Sequence, residues 1–164
     1  TNKIMIAPHL YELANEQQQR IMEDVYDVKP FVVETICLER IFIDKVFAAQ
    51  FYFERNDFFD VAKHIYDLTV LIDNLQIKSF LVDKERVEKV VQYKRKEELK
   101  RKGGVADDVK VSDFDYFDGV VGNKLFQKAF DEMQRIYVFN EANKLSCKDV
   151  CGALNTLREA FANI

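Results

Sequence analysis

Apolar residues recur at helical spacing over most of this chain, and the breaks in that spacing mark its organisation. From about Leu10 to Val25, the positions Leu10, Leu13, Ala14, Ile21, Met22 and Val25 form one stripe with polar residues between, and Pro8 suits the first turn of such a helix. Asp27-Val28-Lys29-Pro30 interrupts it, and the short β-branched run Phe31-Val32-Val33-Glu34-Thr35-Ile36-Cys37 reads as one strand. A lone strand is not stable, so its partners are expected in a longer chain or a neighbour. Leu38 to Arg55 is apolar around most of its circumference, through Ile41, Phe42, Val46, Phe47, Ala49, Phe51 and Phe53. That predicts a central helix.

Asn56-Asp57 reads as a turn, with Asp57 as N-cap of a second helix from about Phe58 to Leu75. A third helix is expected after Asp83, through Val87, Val90 and Val91 into the basic run Lys94–Lys102, with Gly103-Gly104 as its stop. Residues 103–122 read as a loop around Phe114, Tyr116 and Phe117. Two helices follow, Lys124 to Asn140 and Ser146 to Ala162, the latter opening on Ser146-x-x-Asp149, close to a capping box. The predicted fold is mainly α: a bundle of five or six helices with one short strand near the N-terminus, organised as residues 1–37 and 38–164.

Composition narrows the class. With 48% hydrophobic residues, including 14 Phe and 7 Tyr, the chain should bury a core rich in aromatic rings rather than remain disordered. Its formal net charge of −4 gives no global attraction for nucleic acid. Cys37, Cys147 and Cys151 form no Cys-x-x-Cys pair and read as buried, reduced thiols of a cytoplasmic protein. Two histidines far apart, His9 and His64, argue against zinc. No apolar run approaches the roughly 18 residues of a membrane span, so no membrane partner is expected. The chain starts without methionine and runs at once into Ile4-Met5-Ile6, as the interior of a larger protein would.

Charge inside the apolar segments is the chemically informative feature. Lys45 and Asp67 each lie eleven residues from Asn56, so a helical hairpin turning there sets them face to face. Spacing admits two readings. One is an ordinary interhelical salt bridge. In the other, a phosphate or similar anion sits on Lys45 with Asp67 orienting it, since lysine serves phosphate as a mobile point charge. Glu39 and Arg40 lie at the strand-to-helix junction, as cleft-lining charges or solvated capping residues. His64 stands one turn before Asp67, beside Lys63. The basic run Lys94–Lys102 is either an RNA-facing surface or a solvated helix end with i,i+4 pairs. Asp107-Asp108 and Asp113-x-Asp115-x-x-Asp118 form a carboxylate cluster lacking the glycine and terminal glutamate of a calcium loop.

Two stretches, Glu39-Arg40-Ile41-Phe42-Ile43-Asp44-Lys45 and Lys63-His64-Ile65-Tyr66-Asp67-Leu68, resemble the C-terminal half of the AbiEii/AbiGii nucleotidyltransferase toxin family. There a strand runs into an Arg-Thr-Phe-x-Glu-Lys helix, followed by an Arg-His-x-x-Asp-Leu or Arg-Asp-x-x-Asp-Leu helix. The likeness continues at Lys94-Arg95-Lys96, Asp131-x-Met133 and Leu157-Arg158-Glu159-x-x-x-x-Asn163. Lys63 stands where that family usually has arginine, and Ile41 where it often has threonine.

The resemblance implies that residues 1–37 end a nucleotidyltransferase core and that 38–164 are its C-terminal helical domain. Lys45 and Asp67 would then be catalytic, with Lys45, Arg40, Lys63 and His64 facing the nucleotide. The intact enzyme would use Mg2+ and a nucleoside triphosphate to modify an acceptor such as tRNA, opposed by a cognate antitoxin. The family's Gly-Ser turn and paired metal-binding aspartates have no counterpart in this sequence, so the fragment alone is expected to be inactive, with neither cofactor bound. The alternative is a non-catalytic helical interaction or RNA-binding module.

Overall fold

The computed structural model describes residues 2–106 and 108–162, and the protein is mainly α-helical. It divides into two compact units, Thr1–Cys37 and Leu38–Ile164.

In the first unit, strand β1 (Asn2–Ile6) pairs antiparallel with β2 (Phe31–Thr35), Ile4 opposite Val33. The strand expected to depend on absent partners therefore has one within the chain. The missed element is the Ile4-Met5-Ile6 triplet, too short to show a period. Between the strands, the single expected helix is two, α1 (His9–Leu13) and α2 (Glu16–Tyr26). Asn15 makes the break: its side chain accepts from the Gln18 amide, and the Gln18 side chain accepts from the Asn15 amide, each at 3.0 Å. Pro8 is the N-cap residue of α1 rather than part of its first turn. None of the described residues of this unit is buried.

The second unit is built around a helical hairpin, α3 (Leu38–Phe53) and α4 (Phe58–Leu71). Helix α3 buries Phe42, Ile43, Val46, Phe47 and Ala49, as its nearly all-round apolarity predicts. It ends in a Schellman turn: Asn56 is left-handed (φ 56°), and the Asp57 amide reaches back to the Tyr52 carbonyl at 3.0 Å. Asp57 then caps α4 by accepting from the Asp60 amide.

The expected helix from Phe58 to Leu75 stops early, because Asn74 bonds the Gln76 amide at 2.8 Å and starts a new helix, α5 (Leu75–Val82). Asp83 caps α6 (Lys84–Glu98) through the Arg86 amide.

Residues 103–106 and 108–122 form a packed segment with a 3-10 turn at Val111–Asp113 and a short helix α7 (Tyr116–Gly119). Three buried or half-buried side chains hold it down. Gln50 of α3 donates to Asp115 at 3.1 Å, and Glu98 accepts from the Val105 amide at 3.1 Å. Arg158 donates to the Ser112 carbonyl and to Asp118. Gly104 is needed where it lies, since a Cβ there would fall 2.2 Å from the Glu98 carbonyl oxygen. Helix α8 (Lys124–Tyr137) packs on α4. After a 3-10 turn at Glu141–Asn143, α9 (Cys147–Phe161) opens on the Ser146/Asp149 capping box and closes the core against α4.

Two expectations about single residues change. Cys147 is exposed, as the first residue of α9, while Cys37 and Cys151 are half-buried; all three thiols are free. Glu39 is not a solvated capping residue: it is buried and paired with Arg86 at 2.5 Å.

Candidate functional site

Helix α4 has two working faces. Val61, Ala62, Ile65 and Leu68 enter the core, while Asp60, Lys63, His64 and Asp67, spaced i, i+3, i+4, i+7, run along an adjacent stripe. Lys63, His64 and Asp67 of that stripe, with Tyr66 and with Lys45 from α3, form one wall of a cleft of about 660 Å3. The opposite wall comes from the end of α8 and the segment after it: Met133, Tyr137, Val138, Phe139, Asn140 and Asn143. This size lies within the roughly 300–1,000 Å3 of small-molecule sites.

The charges on the first wall are arranged in pairs. Lys45 Nζ lies 2.5 Å from Asp67 Oδ2, both side chains about a third exposed. Lys63 is bonded to Asp60, which holds its ammonium above the ordinary pKa, and it sits 4.8 Å from the Phe59 ring centroid and 5.7 Å from that of Tyr137. Each ammonium has three N–H donors and spends one on its carboxylate, so both keep donors for an incoming anion. Such half-exposed pairs are weak, about 0–1 kcal/mol each, and open readily to a better-charged partner.

His64 stacks on Tyr52, ring centroids 5.5 Å apart and planes 21° from parallel. Its Nδ1 is buried with no hydrogen-bond partner among the described residues. Burial, and after it the charge of Lys45, push its pKa below 6.5; Asp67 and Asp60 oppose the shift. The imidazole is therefore neutral near pH 7, able to donate one hydrogen bond without adding charge.

Of the residues singled out from sequence, Lys45, Lys63, His64 and Asp67 line this cleft. Arg40 does not. Its guanidinium bonds Asp44 and Glu97, joining α3 to α6. Much of the Lys94–Lys102 run is likewise engaged within the unit: Lys94 sits between Asp44 (3.1 Å) and Glu98 (2.8 Å), Arg95 donates to the Val109 carbonyl, and Arg101 lies over the Phe51 ring. In the carboxylate cluster, Asp115 and Asp118 are taken by Gln50 and Arg158; Asp107 lies outside the described residues. Among the described residues no group of three His, Cys, Asp or Glu side chains comes close enough to hold a metal ion, and none of the helices is long and apolar enough to cross a membrane.

Sequence reasoning missed the second wall. It ran α8 on to Asn140, whereas the helix ends at Tyr137 and Val138 turns extended (φ −107°, ψ 91°). The readable signal was Asn140, whose side chain caps the following 3-10 turn through the Ala142 amide at 3.0 Å.

No protein-family model, curated protein or solved structure matches the chain.

Proposed function

We propose that the cleft receives the phosphate chain of a nucleoside triphosphate, and that Leu38–Ile164 is the nucleotide-facing helical part of a cytoplasmic nucleotidyltransferase toxin of the AbiEii/AbiGii type. The observation carrying this reading is the convergence of Lys45 and Lys63, from two helices, on one cleft beside a neutral histidine. Lys45 would contact phosphate oxygens while Asp67 fixes the ammonium's position. Lys63, backed by two aromatic rings, would take a second oxygen, and His64 would donate to a third. The reaction would pass a nucleotide to an acceptor such as tRNA, with an antitoxin as the opposing partner.

Magnesium, which that family uses, would need ligands beyond Asp67, which is paired with Lys45, and among the described residues no group of three His, Cys, Asp or Glu side chains comes together. The role drawn for this unit is therefore limited to binding and orienting phosphate.

Calorimetric titration with ATP, beside thermal melts, tests the proposal. Lys45→Ala should weaken binding at least about tenfold, as expected for a lost charge-assisted hydrogen bond, with little change in melting temperature. The rival reading, a non-catalytic helical module, draws on the same ion pairs being complete in themselves. It would be favoured if no nucleotide bound and Lys45→Ala lowered only stability.

A further inference from the structure

We propose that the second wall of the cleft is a nucleobase subsite with Phe139 as its stacking platform, an inference that rests on the phosphate-binding reading above. The two walls differ in chemistry. The α3–α4 wall carries the ionic groups, and the opposite wall carries apolar and aromatic side chains with two amides. A nucleoside triphosphate has the same polarity along its length, anionic at one end and a flat aromatic heterocycle at the other.

Phe139 is 92% exposed, the most exposed large apolar side chain described in this protein, yet it stands on the rim of a cleft lined with lysines. Its neighbour Tyr137 is already occupied by Lys63 and by the Phe59 ring, 6.2 Å away. The Phe139 backbone is held on both sides: Val138 closes α8 by bonding the Gln134 carbonyl at 2.9 Å, and Asn140 caps the next turn. The ring is thus presented from a fixed backbone. Asn140 uses its side-chain oxygen on the Ala142 amide, which leaves its NH2 to donate to an acceptor on the edge of a stacked base. Stacking is tolerant of base identity, so the subsite should take purines and pyrimidines alike.

The test is calorimetric titration of the chain with inorganic triphosphate, ATP and CTP. Both nucleotides should bind about tenfold or more tighter than triphosphate, the increment that one base–aromatic stack supplies. Phe139→Ala should abolish that increment and leave triphosphate affinity in place, while Phe139→Trp should retain it; melting temperatures should match, the position being exposed. Equal affinity for nucleotide and triphosphate in the unaltered protein would overturn the base subsite and leave the phosphate reading standing. So would an increment that survives Phe139→Ala, and Phe139 would then be assigned to a protein partner. Failure of triphosphate to bind, or binding indifferent to Lys45→Ala, would remove the phosphate reading and this inference with it.

Discussion

The Tyr66 hydroxyl donates to the Asn143 carbonyl at 2.9 Å, across 77 residues of sequence, and so ties the two walls of the cleft together. Tyr66 shares α4 with the charged stripe, and Asn143 ends the short turn that follows Phe139 and Asn140. Packing of α8 on α4 sets the cleft's width; this bond sets the position of its rim.

Tyr66→Phe should therefore loosen the rim more than it weakens the fold. One partly solvated hydrogen bond is worth about 0.5–1.5 kcal/mol, and water can replace the lost donor at the exposed carbonyl, so the low end is expected. Hydrogen exchange should accelerate at residues 141–144, with α8 unchanged. Unaltered exchange there would show that the bond does not hold the segment.

His64 makes stability depend on pH in a stated direction. Its folded pKa is lowered, so the unfolded chain binds the proton more readily. The contribution is complete above about 6.5, the ordinary value, and is lost as pH falls from there through the folded value. Denaturation of the native protein and of His64→Gln between pH 8 and about pH 5 should diverge, the native protein losing more on the acid side. Parallel curves would mean that the imidazole is not held neutral by its surroundings.

Glu98 should be among the costliest single positions outside the apolar core. It is buried, accepts from Lys94 and from the Val105 amide, and anchors the segment that returns to α3. Glu98→Ala leaves a buried amide without its acceptor and takes one of two carboxylates from Lys94, a loss of about 3 kcal/mol. Urea denaturation would measure it; a change below about 0.5 kcal/mol, typical of surface substitutions, would show that the network contributes nothing beyond solvation.

Gly104→Ala should destabilise by a different route. The new methyl would meet backbone, not a movable side chain, so the 103–122 segment must shift away from Glu98. A loss of about 1–3 kcal/mol is expected, with faster proteolysis within that segment. Because neither Gly104 nor Glu98 lines the cleft, triphosphate binding should be unaffected in the fraction that remains folded.

What could be read from the sequence, and what could not, divides along physical lines. Helices α3 and α9 announced themselves because their apolar spacing is long and their ends carry Asn56-Asp57 and Ser146; α8 was legible from its spacing alone, and its last turn was placed too far on. The break between α1 and α2, and that between α4 and α5, rest on single asparagines whose side chains compete for a neighbouring amide, a signal one residue wide. The pairing of Lys45 with Asp67 was legible because both are counted from one turn. The fate of Arg40 was not, because its partner Glu97 lies 57 residues away, on a helix whose packing no local pattern specifies. The second wall was hidden for the same reason: nothing near Phe139 says that α8 will lie beside α4.

The left-handed turn at Asn56 also fixes how α3 and α4 are phased. The phase is carried onward by α4 itself: one residue inserted in its first turn, between Asp57 and Val61, would rotate the helix beyond it by about 100° relative to that cap and displace it by about 1.5 Å along the axis. Asp67 would swing away from Lys45, and Val61, Ile65 and Leu68 would leave the core together. A residue changed on the wall alters one contact, whereas a change of length inside α4 misaligns the core and the ionic wall together, and one in the turn before it can be taken up by the loop.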